Sequence, residues 1–460
     1  MMRASKLAAA GGLALALAGC ASLPDTQFLS DRYEQQASHF QNAWGPLSAK
    51  RSAAIVAQLK RANGDLDILD KQTVLEQQIG GSALVVGNKV TLLQDGPATY
   101  TAMFAAVRAA KDRIDIESYI IEDGDVGQQF ADILLERQAA GVQVNVIYDS
   151  VGAFGTAKPF FERLRQAGMQ VVEFNPVNPL DLKKAWAPNH RDHRKLLVID
   201  GATAFLGGIN ISSVYSSGSS MGRSEHAVDP TVGWRDTDVQ IDGPVAGEFE
   251  KLFRQTWEKQ KGKPLAALDP AQPALPKGDD IVRAIGSTPD DSFSLSYLTV
   301  VSAITNAEKQ VYITNAYFVP DPQLLKALLD AARRGVDVRL MLPGTSDSAA
   351  AFNAGRSYYD ELLQAGVKIY ERRGALLHAK TAIVDGVWSC IGSSNLDWRS
   401  ALDNDEINAV IVGREFGRQM QAAYAKDIEA ADAIDLAAWR QRPLASRFRE
   451  AAARLWGPLL

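Results

Sequence analysis

Two hydrophobic periods alternate along this chain. Arg113-Ile-Asp-Ile-Glu-Ser-Tyr119 and Gly141-Val-Gln-Val-Asn-Val-Ile-Tyr148 carry apolar residues at alternate positions and predict strands, with helical spacing over Val126–Ala140 between them. The second half repeats the order. Gln310-Val-Tyr-Ile-Thr-Asn-Ala-Tyr317 is the strand, Pro322–Arg334 the helix, and Gly335-Val-Asp-Val-Arg-Leu-Met-Leu342 the next strand. Local matches reinforce the repeat: Ala139-Ala-Gly-Val-Gln-Val corresponds to Arg333-Arg-Gly-Val-Asp-Val, and Gln166-Ala-Gly-Met-Gln-Val to Gln364-Ala-Gly-Val-Lys-Ile. Strands alternating with helices predict an α/β fold of two homologous lobes, each a mixed, mostly parallel sheet flanked by helices.

Other segments frame the repeat. Residues 1–20 read as a leader: Arg3 and Lys6 precede a short apolar stretch ending in Leu17-Ala18-Gly19-Cys20. Residues 21–80 are polar, with helical spacing around Ser48–Ala62, and read as a tether with a docking helix. Lobe 1 is expected over 81–262 and lobe 2 over 281–460. Between them 263–280 holds Pro264, Pro270, Pro273 and Pro276, a density that suits a linker.

Composition narrows the class. With 46% hydrophobic and 22% charged residues the 460-residue chain is an ordinary globular protein. Its formal charge of −5, which becomes −7 once Arg3 and Lys6 leave with the leader, provides no global basic footprint, so nucleic acid is not an expected partner. The second cysteine, Cys390, lies in an apolar strand pattern and reads as a core residue. No set of His, Cys and carboxylate residues has metal-ligand spacing, so no metal and no other cofactor is expected.

The repeat also carries chemistry. Each half holds H-x-K-x4-D, as His193-Arg-Lys195 with Asp200 and His378-Ala-Lys380 with Asp385, and each ends in an asparagine seventeen residues past its histidine, Asn210 and Asn395. Two of only five histidines thus share one slot. A pair of imidazoles suits phosphodiester transfer: one attacks phosphorus while the other protonates the leaving oxygen. Two lysines and two asparagines can hold the non-bridging oxygens, where negative charge builds. Along a strand His193 and Lys195 share a face, as do His378 and Lys380, with Arg194 and Ala379 turned away. Asp200 and Asp385 each precede a glycine and suit turns, as architecture or as substrate contacts.

A third element repeats. Aligning Gly243 with Gly413 sets Asp236 opposite Glu406, each opening an alternating strand, and a carboxylate there can orient a histidine. Asp238 is the alternative to Asp236. Glu117 and Asn315 occupy matched positions two before Tyr119 and Tyr317 and suit either a cleft floor or packing. His190 reads as a strand-entry histidine without a catalytic role, and His226 as part of an exposed Ser/Gly-rich loop. Tyr317, Phe318 and Trp398 are candidates for lipid contact or core.

Paired H-x-K-x4-D motifs with downstream asparagines resemble the phospholipase D superfamily. Asn189-His-Arg-Asp-His193-Arg-Lys195, Tyr317-Phe-Val-Pro-Asp321, and Leu377-His378-Ala-Lys380 through Gly392-Ser-Ser-Asn395-Leu-Asp-Trp-Arg-Ser400 to Glu406 resemble bacterial cardiolipin synthases and related phospholipase D-like proteins. The likeness spans about residues 80–430. It implies a pseudo-twofold molecule with one site between lobes and a metal-independent ping-pong transfer, with phosphatidylglycerol as donor and a lipid hydroxyl as acceptor. Hydrolysis to phosphatidic acid is the near alternative, and a silent lipid-binding scaffold the distant one. Leu17–Cys20 resembles a lipoprotein lipobox, so Cys20 is the expected acylation site. The expectation is a monomer tethered on the periplasmic side of the cell envelope, with the outer membrane favoured because Ala21, not aspartate, follows the cysteine.

Overall fold

A computed structural model describes residues 38–64, 66, 68–80, 82–176, 189–219, 232–266, 274–291 and 294–460. The leader with Cys20, the loop with His226 and residues 267–273 of the proline-rich segment lie outside these. Lobe 1 runs β1 (Leu84–Gln94), α1 (Asp95–Ala109), β2 (Arg113–Ser118), α2 (Asp125–Ala139), β3 (Gln143–Asp149), α3 (Lys158–Gln166), β4 (Gln170–Phe174), β5 (Lys195–Ile199), β6 (Thr203–Gly207), β7 (Thr237–Asp242) and α4 (Ala246–Lys259). Lobe 2 runs β8 (Asp280–Ser287), α5 (Leu295–Thr305), β9 (Gln310–Thr314), α6 (Pro322–Arg333), β10 (Asp337–Pro343), α7 (Ala349–Arg356), α8 (Tyr359–Gln364), β11 (Lys368–Arg372), β12 (Thr381–Val384), β13 (Trp388–Gly392), α9 (Trp398–Leu402), β14 (Asn404–Val412) and α10 (Arg414–Glu429). Helices α11 (Leu436–Arg440) and α12 (Leu444–Arg454) follow.

Seven strands of each lobe lie in matching order, β4–β3–β2–β5–β6–β7–β1 and β11–β10–β9–β12–β13–β14–β8. The α/β class and the mixed sheets are as the sequence predicts, but the balance within them differs. Only β2–β3–β4 and β9–β10–β11, the βαβαβ units, are parallel; the four remaining pairings of each lobe are antiparallel. A tight turn causes the reversal after β5. Asp200 and Gly201 both take positive φ, 53° and 60°, and Asp385 and Gly386 repeat this at 53° and 66°. Two successive left-handed residues form a I′-type turn, which sends the strand back as a hairpin.

Strands β1 and β8 pair antiparallel (Asp280 with Asn88, Val282 with Val85), so equivalent edges of the lobes fuse into one sheet. Under this seam a shared core takes Leu196, Val198, Leu206, Val239, Phe249 and Phe253 from lobe 1 and Ala379, Ile383, Ile391, Ile407 and Ile411 from lobe 2. An apolar interface of this kind holds two lobes as one body.

Residues 38–80 are built into the fold. Phe40 pairs with Leu84 in a parallel strand, Ser48 caps the helix Ala49–Asn63, and Phe40, Leu66, Ile68, Leu69 and Leu75 join the core of lobe 2. In this part of the 21–80 segment the chain is a packed layer and not a tether. Cys390 is buried in that same core.

Candidate active site

The chain approaches β5 and β12 through extended residues that cross between lobes. Arg191 and Asp192 pair in parallel with Asn404 and Asp405, and Leu377 pairs in parallel with Arg235. His193 N–H therefore donates to Asp405 O (3.0 Å), and His378 N–H to Arg235 O (2.8 Å). The next residue on each partner strand is the repeated carboxylate. Asp236 Oδ2 lies 2.7 Å from His378 Nδ1, while both carboxylate oxygens of Glu406 lie 3.1 and 3.2 Å from His193 Nδ1. Each lobe thus sets a carboxylate against the histidine of the other. Neither half is complete alone.

Both histidines line one cavity of about 350 Å³, with Tyr119, Asn210, Trp234, Tyr317, Asn395, Arg191 and Arg399 also in its wall. Burial drives both imidazoles down to about 4, and the neighbouring lysine charges add to the effect. Burial pushes Asp236 and Glu406 up, yet their histidine and lysine neighbours outweigh it and hold both below the ordinary carboxylate range. Ionised carboxylates facing neutral rings place the imidazole proton on Nδ1 and leave the Nε2 lone pair free.

The lysines lie just beneath the cavity wall, each donating to the backbone carbonyl of its own histidine: Lys195 Nζ to His193 O at 2.6 Å, and Lys380 Nζ to His378 O. Each ammonium also sits over a tyrosine ring, Lys195 over Tyr119 at 5.2 Å and Lys380 over Tyr317 at 6.0 Å. Burial lowers Lys195 to about 7 and Lys380 to about 8. The asparagines differ. Asn210 Oδ1 accepts from Ile120 N–H (3.1 Å) and its amide donates to Tyr215 Oη (3.2 Å), whereas Asn395, also in the cavity wall, has a buried Oδ1 without a partner.

The glycine-rich step before each asparagine has a local cause. A Cβ on Gly208 would stand 2.2 Å from Asp236 Oδ1. In lobe 2 the longer Glu406 leaves room for Ser393, whose hydroxyl donates to it.

Asp200 and Asp385 are remote from the cavity wall. Asp200 accepts from the N–H groups of Lys111, Asp112 and Arg113 at 2.8–2.9 Å, and Asp385 from those of Glu308, Lys309 and Gln310 at 2.7–3.0 Å. Each ties its hairpin turn to the start of the neighbouring strand. Asp238 accepts from Ile209 N–H (3.1 Å) and touches neither histidine. Glu117 and Asn315 are not in the cavity wall. Glu117 lies 3.6 Å from Arg194 in the layer beneath, and Asn315 holds Leu396 N–H at 3.0 Å. His190 pairs with Asp405 at 2.8 Å, outside the cavity wall and across the lobe seam. Phe318 is core, Trp398 half-buried, and only Tyr317 of that trio lines the cavity. Among the described residues no three His, Cys, Asp or Glu side chains converge as a metal site, and no helix is long and apolar enough to cross a membrane.

Sequence reasoning missed Tyr215. Its hydroxyl lies 3.3 Å from His378 Nδ1 and bridges that ring to Asn210. The position has no repeated counterpart, since Ser400 stands five residues past Asn395 where Tyr215 stands five past Asn210. Arg191 and Arg399 were missed for the same reason.

Comparison with known proteins shows the family. Residues 103–222 and 300–428 match the family described as cardiolipin synthase, PLD-like domain. A cardiolipin synthase of Alkalihalophilus pseudofirmus is 34% identical over 434 residues, covering 94% of this chain and 83% of the relative. One from Geobacillus sp. (strain WCH70) is 36% identical over 388 residues, covering 84% and 75%. In fold, the chain is similar to a phosphatidylserine synthase of Haemophilus influenzae, with a TM-score of 0.62 at 13% identity over 84% of this chain and 99% of that one. A polyphosphate kinase of Porphyromonas gingivalis gives 0.52 at 13% identity over 83% and 54%. With two homologous halves that meet edge to edge, and a likeness that extends over most of its length, the chain belongs to the cardiolipin synthase family with PLD-like domains.

Proposed function

We propose that the protein is a phosphatidyltransferase of the cardiolipin synthase type, moving a phosphatidyl group from phosphatidylglycerol to a lipid hydroxyl. One observation carries the proposal: two neutral imidazoles, each held through Nδ1 by the opposite lobe's carboxylate, face one cavity. Nε2 of one ring attacks phosphorus while the other ring, protonated, delivers its proton to the leaving glycerol oxygen. The P–O bond breaks and an N–P bond forms. The acceptor hydroxyl then gives its proton to the second ring and attacks phosphorus, displacing the first. A bound phosphodiester anion favours the imidazolium form needed for the first proton transfer.

Lys195, Lys380, Asn210 and Asn395 are assigned to the non-bridging oxygens, Asp236 and Glu406 to orientation, and Asp200 and Asp385 to architecture. Removing one donor of such a cradle costs on the order of 3–4 kcal/mol. Lobe 1 spans 81–262 and lobe 2 281–460, joined by the linker 263–280, and the 38–80 segment packs on lobe 2 through Phe40, Leu66, Ile68, Leu69 and Leu75. The leader pattern supports acylation of Cys20 and attachment to the periplasmic side of the envelope, with the outer membrane preferred on Ala21. The protein acts as a monomer, since both halves of the site lie in one chain.

The test uses purified protein in mixed micelles with labelled phosphatidylglycerol, followed by lipid separation. Labelled cardiolipin plus free glycerol supports transfer. Phosphatidic acid alone would replace it with hydrolysis. A His193→Ala, His378→Ala double variant indistinguishable from a silent parent would leave only a scaffold. Labelled palmitate that persists in a Cys20→Ser variant would refute acylation at that residue.

A further inference from the structure

Exposed apolar side chains run along a helical segment whose end, at Leu459 and Leu460, forms part of the cavity wall. Along α12 and the turn after it, Leu444, Phe448, Leu455, Trp456 and Leu459 are 59–83% exposed. Their spacing puts Leu444, Phe448 and Leu455, which caps the end of the helix, on one side, turned to solvent, and Leu459 follows in the 3-10 turn Gly457–Leu459. A soluble helix normally buries such a stripe. Here the opposite side is the one that is anchored. Glu450 is buried and paired with Arg442 at 2.6 Å, and Ala453 and Leu460 pack against Val319, Ala351 and Ala354. The stripe runs into the cavity, because Leu459 and Leu460 are part of its wall.

Lobe 1 supplies the opposite rim. The loop after β3 exposes Phe154 (88%) and Val151 (43%). Its Gly152 packs so closely on Tyr119 that a Cβ would fall 2.1 Å from the Tyr119 carbonyl oxygen, and Tyr119 is in the cavity wall. Apolar residues therefore project from both lobes around a polar, histidine-bearing hole. Charge completes the pattern. Residues 440–460 hold five arginines and one acidic residue, the buried Glu450, in a chain of net charge −5, and Arg447, Arg449 and Arg454 are exposed beside the stripe.

We infer that this rim (Leu444, Phe448, Leu455 and Trp456 on one side, Phe154 on the other) docks onto the surface of an anionic phospholipid bilayer. The apolar residues enter the boundary between headgroups and acyl chains while the arginines meet lipid phosphates, as an interfacial amphipathic helix does. A headgroup can then reach the histidines while its acyl chains stay in apolar surroundings. The inference rests on the phosphatidyltransferase reading for its purpose, but docking is measured separately from turnover.

The experiment uses the full chain carrying Cys20→Ser, so that no acyl anchor contributes. Partition onto vesicles is measured by sedimentation, with phosphatidylcholine alone or mixed with phosphatidylglycerol. The parent binds the mixed vesicles and binds phosphatidylcholine more weakly. Phe448→Ser with Leu455→Ser lowers that partition about tenfold or more, with Phe154→Ser adding to the loss, and none of the three lowers the melting temperature. Turnover of vesicle-borne phosphatidylglycerol falls in parallel, while that of a short-chain monomeric phosphatidylglycerol does not. Partition unchanged in the triple variant, or a parent that ignores both vesicles and instead self-associates through this face, would overturn the inference. Docking without any turnover would overturn the phosphatidyltransferase reading and leave the surface in place.

Discussion

Replacing Asp236 with asparagine exchanges one oxygen for an NH2 group and reverses the proton logic of the opposite lobe. Asp236 Oδ1 accepts from Thr237 N–H at 2.7 Å, and Oδ2 accepts from His378 Nδ1 at 2.7 Å. The backbone donor fixes which way an amide can sit, since its carbonyl oxygen must stay on Thr237. The NH2 group then faces His378 Nδ1 and needs an acceptor there, which moves the ring proton to Nε2 and removes the lone pair that faces the cavity. Loss of the correct tautomer at a catalytic histidine costs on the order of 10³–10⁴ in rate, about 4–5.5 kcal/mol. Glu406→Gln should cost less, about tenfold. No backbone N–H pins its oxygens, and Ser393 has a rotatable hydroxyl that can accept from the new amide. The assay pairs transfer kinetics on labelled phosphatidylglycerol with nitrogen-15 NMR of the imidazoles, which reads the tautomer directly. An Asp236→Asn variant that loses less than about tenfold, or that loses activity with His378 still protonated on Nδ1, would refute the reasoning.

Gly208→Ala forces a methyl group to within 2.2 Å of Asp236 Oδ1 and should destabilise the fold by about 1–3 kcal/mol while lowering transfer, read by denaturant unfolding and by kinetics. The two buried histidines should weaken the fold as pH drops below neutrality, whereas buried Asp115, Glu117 and Asp397, pushed up to about 7 by burial, act the opposite way. Both imidazoles stay neutral in the folded protein down to about 4 while the unfolded chain protonates them near 6.5. At these two rings the unfolded state binds more protons in that window, so each histidine removes about 2 kcal/mol of stability by pH 5, and His193→Gln with His378→Gln should raise the unfolding midpoint at pH 5 relative to that at pH 7. Because Lys195 and Lys380 lose their charge at about 7 and 8, kcat/KM should decline on the alkaline side through that range. Lys195→Arg, which stays charged, should shift the lower limb upward in whatever activity remains; an unmoved limb would exclude Lys195 as its source.

Much of this molecule was legible because it is written twice. A side chain with a counterpart at the same offset in the other half stood out against the rest, which is how His193 with His378, Asn210 with Asn395 and Asp236 with Glu406 were found. The same filter hid Tyr215, whose counterpart position holds Ser400, and it hid the arginines of the cavity wall. Periodicity located strands and helices but not their pairing. The turn at Asp200-Gly201 returns only β6 onto β5, while β2–β5, β6–β7 and β7–β1 are antiparallel through connections that leave no local pattern, and so the antiparallel majority of each sheet was read as parallel. The crossed pairing of carboxylates and histidines was out of reach for a related reason. It arises where Arg191–Asp192 meets Asn404–Asp405 and Arg235 meets Leu377, contacts between segments more than one hundred residues apart that leave no local pattern. Residues 38–80 seemed peripheral because they are polar on average, yet Phe40, Leu66, Ile68, Leu69 and Leu75 are enough to fix them to lobe 2.

The central claim is that the phosphatidyl group passes through a histidine. Single-turnover reaction with phosphatidylglycerol labelled in its phosphate, quenched in denaturant at alkaline pH where an N–P bond survives, should leave label on the protein. Peptide mapping should place it on either His193 or His378, and alanine at that residue should abolish the adduct. No protein-bound label at any quench time, with turnover of the parent intact, would contradict the account.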